Sequence, residues 1–183
     1  MATGKIQEAV TAFQKAYQDV PGPYRALVLR NLALALLHWE QNEEALGILR
    51  DGERVYPAYV DLIYLAGLAF WKQKCYQEAL REGFRAAEKG EATLWFLSDP
   101  GSGSYKPAFL VGEVYREKAA LNDTVTAYIS SLSYNPYFLP ALEKLVQMKL
   151  TPDTKEKVSD LLFQILDLRE PAVKILMENF QNQ

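Results

Sequence analysis

Few side chains in this sequence are of types and spacing that could do chemistry. His38 is the single histidine, beside Trp39 near the end of an apolar stretch. With no second histidine and no cysteine at ligand spacing, a metal site lacks its ligands, and His38 reads as a solvated or capping residue. Cys75 has no histidine near it in sequence and falls at a turn, which reads as a partly buried structural thiol rather than a reactive one. Glu43-Glu44, and Glu113 with Glu117, are paired carboxylates of the kind acid–base work uses, but on helix surfaces they read as solvated charge. Gly101-Ser102-Gly103-Ser104, ahead of a helix that carries Lys106, has the composition of an anion cradle. It lacks the G-x4-G-K-[ST] order after a strand that a phosphate loop needs. The expectation is a chain without a catalytic centre, metal or cofactor.

The elements that position these residues recur. A small residue, an apolar residue four later and a small residue at seven, often with proline at twelve, appear as Ala9, Phe13, Ala16, Pro21 and as Ala45, Leu49, Gly52, Pro57. Ala79 and Ala86 repeat the small positions, and Thr124, Tyr128, Ser131, Pro136 repeat the whole pattern. From Ala45 to Ala79 is 34 residues, a period that predicts stacked helical hairpins. Spacings of four and seven lie on one helix face, small residues let helices approach, and Pro21, Pro57 and Pro136 end the helix.

The partner helix of each hairpin is equally periodic: Leu29, Leu32, Ala33, Leu36, then Ile63, Ala66, Gly67, Phe70, then Ala108, Val111, Gly112, Tyr115. Leu142, Leu145, Val146 followed by Val158, Leu162, Ile165 continue the register, and Val173, Leu176, Met177, Phe180 suit a cap after Pro171. Ile6, Ala9, Val10, Phe13 and Tyr17 form an apolar stripe with nothing upstream to cover it, which predicts packing on a preceding domain or another copy.

Composition narrows the partners. Of 183 residues 49% are apolar, and Lys plus Arg at 20 against Asp plus Glu at 23 leave a net charge of −3. No basic stripe is present for counterion release, so nucleic acid is not an expected partner. One cysteine excludes an internal disulfide, no apolar run approaches a membrane span, and the first residues lack a signal peptide's apolar region. A cytoplasmic location is expected, with no membrane contact.

Gly112-x2-Tyr115, Ala9-x3-Phe13-x2-Ala16-x4-Pro21 and Asn135-Pro136 resemble the tetratricopeptide repeat. The resemblance implies an all-α, right-handed superhelical solenoid of about four hairpins with a C-terminal capping helix. Its divisions are a lone second helix at 4–21, repeats at 24–57 and 58–90, an insertion at 91–104, a repeat at 105–136, a degenerate repeat at 137–170 and a cap at 171–183. Gly83 stands where an aromatic is usual, Glu91 replaces the closing proline, and Thr124 replaces an alanine.

The insertion is apolar and aromatic first (Leu94, Trp95, Phe96, Leu97) and turn-forming afterwards, with Ser104 as candidate N-cap. The readings are an anion cradle, an aromatic half that folds over the groove as a lid or presents Trp95 to a partner, or a long connection whose aromatics pack between hairpins two and three. The last is favoured. Gly101, Gly103, Ser104, Tyr105 and Lys106 before Val111-Gly-Glu-Val-Tyr115 are also similar to the repeat region of many bacterial family 2 glycosyltransferases. That similarity implies the accessory helical part of a larger sugar-transferring enzyme. The catalytic part is not expected here, since the chain has no D-x-D and no parallel-sheet pattern.

The repeat resemblance implies a concave groove lined by first helices. Its positions here are Leu27, Arg30, Leu34, Leu37 and His38, then Asp61, Tyr64, Leu68, Trp71 and Lys72, then Lys106, Phe109, Glu113, Arg116 and Glu117. The slots of a chaperone-tail carboxylate clamp hold Arg30, Leu34, Leu65, Lys106 and Leu110, too apolar to form one. The expected function is a non-catalytic protein–protein interaction scaffold that binds a peptide, a helix or an adjacent domain through Arg30, Leu34, Leu37, Tyr64, Leu68, Trp71, Lys72, Phe109, Glu113 and Arg116. Self-association as a homodimer is the further alternative.

Overall fold

The computed structural model describes residues 2–20, 22–166 and 170–181, without the side chains of residues 2–7, 9, 14, 23 and 181. Among these residues the fold is all-α and has no strand. The helices are α1 (Ala2–Asp19), α2 (Pro23–His38), α3 (Asn42–Val55), α4 (Val60–Lys72) and α5 (Tyr76–Lys89). They continue as α6 (Tyr105–Glu117), α7 (Leu121–Tyr134), α8 (Leu139–Gln147), α9 (Pro152–Ile165) and α10 (Pro171–Gln181). No described helix is long and apolar enough to cross a membrane.

From α1 to α8 each helix packs on the next, and α2, α4 and α6 also touch side by side. Three tight turns produce this. After α2, α4 and α6 the chain passes through Glu40, Lys74 and Ala119 at φ of 63°, 62° and 55°. The following amides, Gln41, Cys75 and Ala120, then donate back to Leu36, Phe70 and Tyr115 carbonyls at 2.9, 2.9 and 3.0 Å. These left-handed helix ends are usually made by glycine. Here ordinary residues adopt them, at a conformational cost of about 1 kcal/mol each, so the turns carry no glycine signature. The return connections also match each other. Tyr59 donates to Tyr56 and Phe138 to Asn135, both at 3.0 Å, across turns holding Pro57 and Pro136. Pro21 lies outside the described residues. After α5 the stop is Gly90, at φ 73°, in place of a proline.

Helix approach follows the small residues. Ala33, Ala45, Ala79, Ala86 and Ser131 are fully buried, and Thr124 nearly so. Thr124 and Ser131 satisfy their hydroxyls by donating to the Ala120 and Tyr105 carbonyls at 2.9 and 2.8 Å. A Cβ on Gly52 would meet Leu62 at 3.0 Å, and one on Gly112 would meet the Tyr128 ring at 2.5 Å. On α1, Val10 is buried and Phe13 packs against the same core as α2 to α6. The side chains of Ile6 and Ala9 lie outside the described residues.

The C-terminal part departs from the expected hairpin at 137–170. Its apolar residues Leu142, Leu145, Val146, Val158 and Leu162 share one core with Val173, Met177 and Phe180. Yet α8 packs on α7 and α10, and α9 on α7. The reason is local. The short α8 leaves through Met148 in extended conformation (ψ 136°), without the tight turn of the earlier hairpins, and α9 restarts at a Thr151 cap before Pro152.

Gly112→Ala is expected to lower unfolding stability by about 2 kcal/mol, because the Tyr128 ring has no room to retreat. Urea denaturation of the two proteins measures it.

Candidate interaction surface

Helices α2, α4 and α6 touch side by side, and the insertion is strapped across one end of the face they form. Asp61 anchors the strap. Its carboxylate is 1% exposed in the very apolar α4, so it must be bonded internally. It accepts from the Asp99 amide at 2.8 Å, from the Ser98 hydroxyl, and from Arg30 Nη1 at 3.3 Å. Arg30 Nη1 also reaches the Leu97 carbonyl at 3.5 Å, and Tyr59 donates to the same carbonyl at 3.0 Å. The Lys106 ammonium pairs with Asp99. Phe96 stacks on Tyr59 at 4.8 Å between ring centroids and meets Tyr56 edge-on at 6.4 Å.

The insertion is therefore half anchor and half display. Of its four large apolar residues only Phe96 is tucked in; Leu94, Trp95 and Leu97 point to solvent, Leu94 fully. Of the two aromatics, Phe96 packs at the Tyr56–Tyr59 turn, where the 24–57 and 58–90 segments meet, because the bonds to Asp61 draw the strap toward the start of α4, whereas Trp95 stays in solvent. The glycine–serine turn does hold an anion, and that anion is internal. Glu91 accepts from the Gly101 amide at 3.3 Å and from the Ser104 hydroxyl. Ser104 occupies the N-cap position of α6 without a side-chain cap bond, since its hydroxyl is spent on Glu91.

The expected groove residues divide into three groups. Arg30, Leu34, Tyr64 and Leu68 line one recess of about 140 Å³ with Asp99 and Lys106 of the strap. Trp71 and Lys72 line a second recess of about 300 Å³ with Lys74, Tyr76 and Glu117. Phe109, Glu113 and Arg116 line neither. Phe109 packs on Tyr128 and Phe138 at 5.5 and 5.3 Å. Glu113, 6% exposed, accepts from the Tyr128 hydroxyl and from Arg116 at 3.0 Å. Leu37 is also buried, at 2% exposure. Placement of Leu37 and Glu113 on an open surface is thus corrected. Both point between helices, and the reading of Glu113 as solvated charge fails because Tyr128 and Arg116 bond it inside the α6–α7 contact.

Two buried carboxylates escaped sequence reasoning, Glu82 and the anchoring role of Asp61. Glu82, 5% exposed, is held by Arg81 and Arg85, and Arg85 also pairs with Glu53 of α3. A signal existed for Asp61, a lone acid amid Val60-Asp-Leu-Ile-Tyr-Leu-Ala. His38 is exposed at the last residue of α2, and Cys75 is half-buried at the turn before α5. Among the described residues no three His, Cys, Asp or Glu side chains gather as metal ligands. Burial, aided by the nearby Asp99 carboxylate, pushes the Tyr64 phenol up to about 12. Burial also raises Tyr59, with Asp61 adding to it, and Tyr128, which donates to Glu113. No family model matches the chain, and no curated protein matches its sequence.

Asp61→Ala removes the acceptor of Ser98 and of the Asp99 amide and the carboxylate partner of Arg30; a loss of about 3 kcal/mol is expected, with faster amide exchange at 97–99. Hydrogen-exchange mass spectrometry with thermal melts reads both. The tyrosines set an alkaline limit. Tyr64 is neutral in the fold up to about pH 12 but ionises near 10.0 when unfolded. Its contribution is full below pH 10.0 and is lost as pH climbs to about 12. Tyr64→Phe should make the decline in stability over that window shallower in unfolding curves taken at successive pH values.

Proposed function

We propose that the chain is a non-catalytic interaction scaffold of tetratricopeptide-repeat type, a right-handed superhelical array of about four hairpins acting in the cytoplasm. Three turns of one geometry and the side-by-side contact of α2, α4 and α6 support that architecture. The observation that carries the function is the adjacency of Leu34, Tyr64, Leu68 and Trp71, partly open to solvent around two recesses on one face. Tyr64, Leu68 and Trp71 fall at i, i+4 and i+7 of α4, the arrangement that takes the apolar side of a peptide or helix. Arg30, Lys72 and Lys106 put polar groups at its margin, as at a typical interface rim.

The exposed tip at Leu94 and Trp95 favours a second reading, contact with an adjacent domain or another copy. In that reading the chain is the accessory region of a larger glycosyltransferase or a self-association module.

Replacing Tyr64 and Trp71 together by alanine should weaken partner binding by about 2 kcal/mol or more. The partner is recovered with the wild-type chain as bait and titrated against both proteins by calorimetry. Normal affinity in a double variant with native circular dichroism would remove the groove assignment.

A further inference from the structure

Away from that face, a third recess opens between α5 and α7. It is a cleft of about 310 Å³, floored by Pro107 and Val111 of α6 and walled by Phe84 and Tyr134. Its origin is traceable to sequence. Gly83 stands where the repeat pattern expects an aromatic, and its backbone rests on Val111, where a Cβ would come within 2.9 Å of the valine methyl. Small residues continue the opening at Ala87 and Ala127. The neighbouring seam between α3 and α5 is closed differently, by Arg85 bridging Glu53 and Glu82. No ion pair crosses from α5 to α7 among the described residues.

Shape and charge together specify an occupant. On α7 the cleft runs from Asp123 through Thr126 and Ser130 to Tyr134. That is one helix face about 16 Å long, or three turns. Phe84 and Tyr134 are 52% and 60% exposed, so both walls are open aromatic surface. Asp123 is the single charged residue lining the cleft; it is exposed, and no described residue pairs with it. An apolar trough with one free carboxylate at its end matches an apolar helix that carries a cation just past its last anchor.

We propose that the α5–α7 cleft docks a helical protein segment bearing apolar residues at i, i+4 and i+7 and a lysine or arginine one turn beyond, with the cation on Asp123. The exposed tip of a second copy is a poor occupant, since residues 92–99 contain no lysine or arginine. The inference is independent of the α2–α4–α6 face, and the two surfaces would let the chain bridge two partners.

The test uses fluorescein-labelled synthetic helical peptides of about 14 residues, with Leu, Leu and Phe at i, i+4 and i+7. A lysine or a glutamate stands one turn beyond either end, and each is titrated by anisotropy against the full chain. The lysine peptide of one polarity should bind the wild type about fivefold tighter than its glutamate counterpart. Asp123→Lys, a surface change, should invert that preference. Ala87→Trp, which fills the trough, should weaken both peptides about tenfold or more. The Tyr64→Ala/Trp71→Ala variant should bind as the wild type does, which separates this cleft from the other face. The proposal is overturned if no peptide binds the wild type, or if lysine and glutamate peptides bind equally. It is also overturned if binding survives both Asp123→Lys and Ala87→Trp, is lost only in the Tyr64/Trp71 variant, or if light scattering shows a wild-type dimer that Ala87→Trp dissolves.

Discussion

Close approach of successive helices is the constraint on which the other features rest. At Gly52, Gly67 and Gly112 the space a Cβ would take is already filled by Leu62, Leu110 and the Tyr128 ring. Alanines at 33, 45, 79 and 86 are sealed in the same contacts. Packing at this distance lets short helices of thirteen to sixteen residues bury their apolar faces in the core shared by α1 to α6. It also forces α2, α4 and α6 side by side, so that one face of each is left without a helical neighbour.

What covers that face is decided electrostatically. A carboxylate in the middle of α4 cannot remain unbonded in an apolar setting, and Asp61 finds its donors in the insertion and in Arg30. The strap is therefore a folded part of the array. Its bonds occupy the groups that sequence reasoning would offer to a ligand: Lys106 is taken by Asp99, and the glycine–serine amide and hydroxyl by Glu91. What remains open on that face is apolar, at Leu34, Tyr64, Leu68 and Trp71, with Leu94 and Trp95 held clear of the body.

The two sides of the array differ for a simple reason. Between α3 and α5 long charged side chains bridge the outer seam, whereas between α5 and α7 a glycine and two alanines leave it open. Gly83 lets α5 settle directly on Val111 of α6, and Phe84 and Tyr134 rim the cleft beside that contact without filling it.

Much of the fold was legible in the residues. Periodic small and apolar positions announced the helices, and Pro57 and Pro136 marked returns that the structure places just after α3 and α7. Local chemistry suffices there, since proline and side-chain periodicity act within a turn or two. The three left-handed turns were silent because Glu40, Lys74 and Ala119 look ordinary; only the packing on either side holds them there. Burial of Glu113 and Leu37, the reach of Asp61 across to residue 99, and the partner choice of α8 and α9 depend on which helices meet across long stretches of chain. Such meetings are set by the sum of many weak contacts at a distance, and the order of residues along one helix does not contain that sum.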